Sequence, residues 1–315
     1  MNDNEDFKTL TVREKIQSFL EYVEPGSDFT IRDIYDALSA KGNEEKAAVR
    51  KAVSRERESG TIESSGKYGS YRKIDKSVEF VDLSMLDDNA GDCFNVSLPG
   101  GLENQVKIYP GDLIIYAGLT NCGKSSACLQ TAYMNCMNHP VTYFSSELTP
   151  KQIQERAQIS GIKLESLRGI NFAMRYDSYQ DVITSDSGIC IIDYLAAPGS
   201  GDEAKYFAIP HLISKIHNKL NGRGLLIIAL QKDPGNRSGE GGFKTLHRSN
   251  LYLTLDKDGD ANKYWMNVQK CKAKSSLEGY RLNYKLKPFG LEPLSDWMPP
   301  KQKPMKKTSF GQDKK

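Results

Sequence analysis

The sequence has no Cys-x-x-Cys pair; its cysteines stand apart at 93, 122, 128, 136, 190 and 271. That spacing excludes the common zinc ligand sets. In a chain of 315 residues it also argues against a disulfide framework, so the thiols fit a reducing cytosol and a cytoplasmic location is expected. No apolar run approaches the roughly 18 residues that span a bilayer, so no membrane partner is expected. Residues Met1 to Lys8 are polar and acidic, unlike a secretory leader. Charge of one sign is missing too: 43 basic and 40 acidic side chains leave a net of +3. Any nucleic-acid contact must then come from local patches. The hydrophobic content of 38% and charged content of 26% are those of an ordinary globular protein, and the length suits about two domains.

Residues 1–75 read as a small independent module. Thr11 caps a helix running to about Val23, with Val12, Ile16, Phe19, Leu20 and Val23 on one face. Pro25-Gly26 ends it. A second helix spans about Ile31 to Ser39 and a third Glu44 to Ser59, stopped by Gly60. Thr61-Ile62 and Tyr71 to Ile74 then flank a Ser/Gly-rich turn, which reads as a hairpin. Three helices followed by a hairpin resemble a winged helix. A polar, turn-rich linker follows over 76–97. The last segment, 299–315, carries six lysines, three prolines and one acid; with so little to bury it reads as disordered.

Between them, residues 98–298 alternate apolar strands with helices. Strands are expected at Leu113 to Ala117, Val141 to Ser145, Ile189 to Asp193, Leu225 to Leu230 and Leu251 to Leu255, with a late hairpin near 264–270 and 280–286. This alternation predicts an α/β domain with a mostly parallel sheet and helices on both faces.

The segment Gly118-Leu119-Thr120-Asn121-Cys122-Gly123-Lys124-Ser125 fits G-x-x-x-x-G-K-[ST] in full, between an expected strand and an expected helix. Its glycines let backbone N–H groups close on phosphates, and the helix N-terminus adds a positive dipole end. Residues Gly118 to Ser126 are the expected nucleotide cradle. Lys124 would neutralise the β and γ phosphates of ATP, and Ser125 would hold Mg²⁺. Glu147 ends the second expected strand, where a carboxylate faces the ligand crevice and can activate water; its bland alternative is a helix-capping acid beside Thr149-Pro150. Asp193 ends the third expected strand and would bind Mg²⁺ through water. Gln231 ends the fourth and could sense the γ-phosphate.

Tyr143-Phe-Ser-Ser-Glu147-Leu, then Ile-Ile-Asp193-Tyr-Leu, then Ile-Ala-Leu-Gln231, follow the order seen in the RecA-like cores of DnaB-type replicative helicases. The resemblance covers roughly residues 98–288. It implies ATP hydrolysis, assembly into rings or filaments, and single-stranded DNA in a central channel. Gly199 to Glu203 is similar to the DNA-facing loop of those enzymes, and Asp233 to Gly242 to their second mobile loop. Lys270 and Lys272 occupy the place of a Lys-x-Arg pair that reaches the neighbouring subunit's γ-phosphate. With lysine for arginine, the planar bidentate fork is missing there. A winged-helix-like module stands where the helicases carry their own N-terminal domain, as in compact phage and plasmid ATPases.

Candidate DNA contacts on the module are Lys46, Arg50 and Arg57 on the third helix and Lys67 and Arg72 on the hairpin. Against this, residues 1–75 hold 13 basic and 15 acidic side chains, a net of −2, so a protein-docking module stays open. In the core the candidates are Lys205, Arg237 and Lys244. Two alternatives share the P-loop: an ATP-gated loader or switch that does not unwind DNA, and a small-molecule kinase, for which no acceptor site is evident.

Overall fold

The structure, a computed structural model, describes residues 10–66, 68–76, 93–196, 202–258 and 263–300, without the side chains of 202–207. Lys67, the side chain of Lys205, Gly199 to Gly201, most of the expected linker and the tail beyond Pro300 lie outside the described residues. The chain divides into two compact units, 1–86 and 87–315.

In the smaller unit, α1 (Val12–Tyr22), α2 (Ile31–Ala37) and α3 (Asn43–Glu58) pack with a three-stranded antiparallel sheet. Its strands are β1 (Asp28–Thr30), β2 (Ile62–Ser64) and β3 (Ser70–Lys73), in the order β1-β3-β2. Thr11 and Thr30 start α1 and α2 with reciprocal capping boxes to Glu14 and Asp33, each satisfying helix N–H groups that would otherwise lack partners. Ile16, Leu20, Ile34, Val49, Val53 and Ile62 form the core. β1 is the one element here that the sequence reading passes over: three residues after a Pro-Gly break carry no period-2 signal.

The larger unit is built on a nine-stranded sheet. Six strands are parallel: β4 (Asp112–Gly118), β5 (Val141–Ser145), β6 (Ile170–Met174), β7 (Ile189–Asp193), β8 (Leu225–Gln231) and β9 (Leu251–Lys257). Three antiparallel strands extend it: β10 (Tyr264–Cys271), β11 (Arg281–Lys287) and β12 (Gly290–Pro293). The spatial order is β12-β11-β10-β9-β4-β8-β7-β5-β6. The expected strands are all present. β6 and β12 are additional, and β6 makes the strand ending in Asp193 the fourth in chain order, not the third.

Side-chain alternation divides the core into two layers. Ile114, Tyr116, Ile189, Ile191 and Ile227 face α4 (Lys124–Asn135), whose Ala127, Cys128 and Ala132 complete that layer. Leu113, Ile115, Cys190, Ile192 and Ile228 face the opposite way, toward Ile209, Ile213 and Ile216 of α6 (Asp202–Asn218). The remaining α-helices among the described residues of this unit are α5 (Pro150–Ile159), between β5 and β6, and α7 (Gly242–Arg248), between β8 and β9. Strands buried on both faces read as continuous apolar runs, and Leu225 to Leu230 is such a run.

At the lower rim, where the parallel strands begin, two turns meet closely. Gly111 donates its N–H to Gly224 at 2.7 Å, and a Cβ on Gly111 would lie 2.8 Å from the Cα of Gly222. Gly111 also has a φ of +81°. Gly111→Val should therefore lower unfolding stability by at least the ~1–3 kcal/mol of a left-handed non-glycine residue, read as a lower urea midpoint. Wild-type stability in the variant would contradict the close approach.

Candidate nucleotide site

The site lies at the upper rim, where the parallel strands end. The backbone ladder pairs Gly118 of β4 with Gln231 of β8, and Ser145 of β5 with Asp193 of β7. Three residues picked out from the sequence, Gly118, Asp193 and Gln231, thus lie at strand ends, with Gly118 and Gln231 at one level and Asp193, level with Ser145, two residues lower, since Ile192 pairs with Ile228. β4 is also the switch point of the sheet, since the chain leaves it toward β5 on one side and returns to its other side through β9. Ligands of open α/β sheets bind at that position.

Between Gly118 and α4 the chain turns through two left-handed residues, Asn121 (φ +61°) and Gly123 (φ +92°). Gly123 has no room for a side chain: a Cβ would meet Leu286 at 2.5 Å and Leu291 at 3.1 Å. The β11–β12 hairpin holds the loop from behind. Tyr284 donates its hydroxyl to the Cys122 carbonyl at 2.5 Å, Ser126 Oγ donates to Pro288 O at 3.4 Å, and Gln130 bonds both backbone groups of Leu291. The side chain of Cys122 is buried, so that residue has only backbone to offer a ligand.

Lys124 folds back onto its own loop. Its ammonium donates to Gly118 O and Leu119 O, both at 3.0 Å, and to Gln231 Oε1 at 2.9 Å. Gln231 in turn donates to Thr120 Oγ1 at 2.8 Å. Burial pulls the Lys124 pKa below its ordinary value, opposed by the Asp193 carboxylate. Ser125 Oγ donates to Asp193 Oδ1 at 3.1 Å, and Tyr143 donates to Asp193 Oδ2 at 2.6 Å. Burial pushes the Asp193 carboxyl up; the bonds from Tyr143 and Ser125 hold it down. A hydroxyl and a carboxylate converging beside a phosphate loop suit Mg²⁺, which takes one or two protein oxygens and fills its shell with phosphate and water. Ser125 and Asp193 therefore fit that ion, whereas no group of three or more His, Cys, Asp or Glu side chains forms a metal cage among the described residues.

These groups open on a cleft of about 1050 Å³, lined by Thr120 to Ser126 except Cys122 and by Glu147 and Gln231. Glu147 is exposed at its mouth, and Ser145 Oγ accepts the Glu147 N–H at 3.3 Å. Thr149, and not Glu147, caps α5, through a capping box with Gln152. The bland reading of Glu147 as a helix cap is thereby removed. Sequence reasoning missed Tyr143 and the far wall of the cleft, formed by Arg156, Tyr264, Lys287 and Pro288. Nothing in a local motif marks them; they arrive through strand pairing and the hairpin.

Beyond Gln231 the loop 232–241 is pinned at both ends. Lys232 donates its backbone N–H to Gly118 O at 3.0 Å, and its buried ammonium pairs with Asp256 at 2.5 Å and with Asn236 O at 2.9 Å. At the other end Glu240 N–H reaches Gln231 O at 2.7 Å, and Gly239 N–H reaches the Tyr252 hydroxyl at 2.7 Å. Arg237 is exposed on this loop, and Lys244 is exposed on α7.

Lys270 and Lys272 sit at the other rim. Cys271 is level with Leu251, and Leu251 with Ile114, at the start of the parallel strands. Neither lysine lines this chain's own cleft. Lys270 donates to Leu246 O and His247 O at 3.0 and 2.7 Å, closing the C-terminal end of α7; Lys272 is exposed. In the smaller unit, Arg50 donates to the Tyr35 hydroxyl at 3.2 Å and Lys46 lies over the Tyr35 ring at 5.6 Å. Arg72 pairs with Glu63 at 2.7 Å, and Arg57 is exposed.

No protein-family profile and no curated protein matches the chain. Among solved structures it is similar to a KaiC-like protein of the hyperthermophilic archaeon Pyrococcus horikoshii OT3. That match has a TM-score of 0.51 and 14% identity, covering 65% of this chain and 99% of the other. It is also similar to the RadB recombinase, with a TM-score of 0.45 and 18% identity, covering 60% of this chain and 94% of the other. The larger unit has a RecA-like α/β fold. No helix among the described residues is long and apolar enough to cross a membrane.

The buried Lys232–Asp256 pair gives this RecA-like core a measurable dependence. Removing one partner of such a pair leaves a charge without compensation, at ~3–5 kcal/mol. Asp256→Ala should lower stability to urea by that order and speed tryptic cleavage at Arg237. Unchanged stability and cleavage would show that the pair does not hold the loop.

Proposed function

We propose that the chain is an ATP-hydrolysing, DNA-stimulated and oligomeric RecA/DnaB-like ATPase acting in DNA replication or recombination. One observation carries this reading: Lys124, Ser125, Glu147 and Gln231, from three separate strand ends or loops, line a single cleft at the sheet's switch point, and Asp193, from a fourth, bonds Ser125 beside it. In this reading the backbone N–H groups of Leu119 to Ser126 bind the phosphates and Lys124 neutralises the β and γ groups. Ser125 and Asp193 hold Mg²⁺, which supplies charge neutralisation of the phosphates. Glu147, at the mouth of the cleft, orients a water and accepts its proton. Gln231 links the site to the 232–241 loop, because its side chain touches Lys124 while its carbonyl accepts the Glu240 N–H.

Oligomerisation is supported by Lys272. It is exposed on the rim opposite its own cleft, so the trans role that the DnaB-type resemblance implies for it would require a neighbouring copy. Lys270, tied to the end of α7, would position that rim rather than contact phosphate. In this reading single-stranded DNA runs along the core loops, with Arg237 on the 232–241 loop and Lys244 on the following helix as candidate contacts and Lys205 as a further candidate. We read the smaller unit as a winged-helix module, on the strength of three helices and a three-stranded antiparallel sheet. A second reading, an ATP-gated loader or switch, draws on the same Lys272: lysine lacks the fork that stabilises a neighbour's transition state.

Glu147→Gln should lower ATP turnover by at least about a hundredfold while leaving ATP binding intact. Turnover at the parental rate would sink the assignment of Glu147. Purified protein should hydrolyse ATP faster with single-stranded DNA than with duplex or none, and the gain should shrink as salt rises. Lys124→Ala should abolish it. Slow hydrolysis indifferent to every DNA would favour the loader or switch.

A further inference from the structure

Tyr143 lies on β5, two residues before Ser145 and in register with Ile191. Ser145 is in register with Asp193, so Tyr143 is the diagonal neighbour of Asp193 on the same face of the sheet. Diagonal pairs are within reach of an aromatic side chain. Both residues are fully or almost fully buried, at 0% and 1% exposed. The phenol donates to Asp193 Oδ2 at 2.6 Å, the length of a charge-assisted O–H···O bond. Its ring stacks on Phe172 of the edge strand β6, with centroids 5.9 Å apart and planes at 24°.

Asp193 therefore has its two oxygens divided. Oδ2 is committed to Tyr143, inside the protein, while Oδ1 accepts from Ser125, on the cleft side. Phenylalanine would fill the same space and make the same ring contact. The hydroxyl adds only the bond to the carboxylate. Without it a buried carboxylate would lose a strong donor and its fixed torsion.

We propose that Tyr143 is a positioning residue: by holding Asp193 Oδ2 it fixes the carboxylate so that Oδ1, with Ser125, presents a preformed pair of oxygens to a divalent cation bound with the nucleotide. This rests on the nucleotide reading above. It predicts that Tyr143 acts on the cation dependence of nucleotide binding, not on binding of the nucleotide alone.

The probe is a fluorescent ATP analogue, titrated onto the full chain in EDTA and then at increasing Mg²⁺. Tyr143→Phe should raise the Mg²⁺ concentration for half-maximal enhancement of binding by roughly tenfold, the scale of one hydrogen bond to a charged group. Affinity in EDTA should stay at the parental value. Once Asp193→Ala has removed the carboxylate, adding Tyr143→Phe should shift the Mg²⁺ dependence no further. An unchanged Mg²⁺ dependence in the single variant, or an equal shift in both backgrounds, would overturn the proposal. So would a Tyr143→Phe protein that fails to fold or loses affinity in EDTA, since the hydroxyl would then serve structure. Absence of any Mg²⁺-dependent binding by the parent protein would overturn the nucleotide reading itself, a result distinct from failure of Tyr143 alone.

Discussion

Everything at the upper rim depends on the hydrogen-bonded register of β4 with β8 and of β7 with β5. Register fixes height, and alternation fixes face. A slip of one residue in β7 would send Asp193 to the α6 layer, away from Ser125 and Tyr143. Both faces of β7 are apolar, with Ile189 and Ile191 in one layer and Cys190 and Ile192 in the other, so the polar residue that a slip would misplace is Asp193. Asp193 and Gln231 are the last residues of their strands, where the apolar runs end.

The charges there are accommodated in two ways. Lys124 is only partly buried and is stabilised by two loop carbonyls and an amide oxygen, all of them neutral. An anion entering the loop would compete for this ammonium, and displacing Gln231 is part of that exchange. Lys232, one residue further on, is buried and has its charge matched by Asp256. The first lysine is poised to change partners; the second is not. Gln231 and Lys232 are adjacent, so the residue that bonds Lys124 is the chain neighbour of the one whose ion pair fixes the base of the 232–241 loop.

The sequence made the strands of the core legible because each is a run of branched apolar residues ending in a polar one. The P-loop followed from its full match to G-x-x-x-x-G-K-[ST] after such a strand, and Asp193, Gln231 and Glu147 from the strand ends. β6 was not legible: as an edge strand, Ile170–Met174 is only half buried and its residues carry no run. β12 contains both Gly290 and Pro293, which read as turn residues. Tyr143 was quoted within a motif, yet its role depends on a diagonal contact across β5 and β7 that no linear spacing contains. The wall of Tyr264, Lys287 and Pro288 is more than a hundred residues from the P-loop. It arrives only because β10 and β11 are laid against β9, and β12 against β11.

The smaller unit poses a different question, since three of its candidate basic residues already have partners. Lys46 and Arg50 gather on Tyr35, and Arg72 bonds Glu63 and Gly26 O. That does not remove them from the reach of phosphate. Exposed ion pairs are worth only about 0–1 kcal/mol, so exchanging Glu63 for a phosphate oxygen costs little. The pair that would resist exchange is Arg13 with Glu56, whose carboxylate is buried and also bonded to Gln17. It ties α1 to α3 from the inside. The outer cations of α3 can then change partners without the helix losing its seat, so their present engagement bears on affinity and not on whether the surface is available.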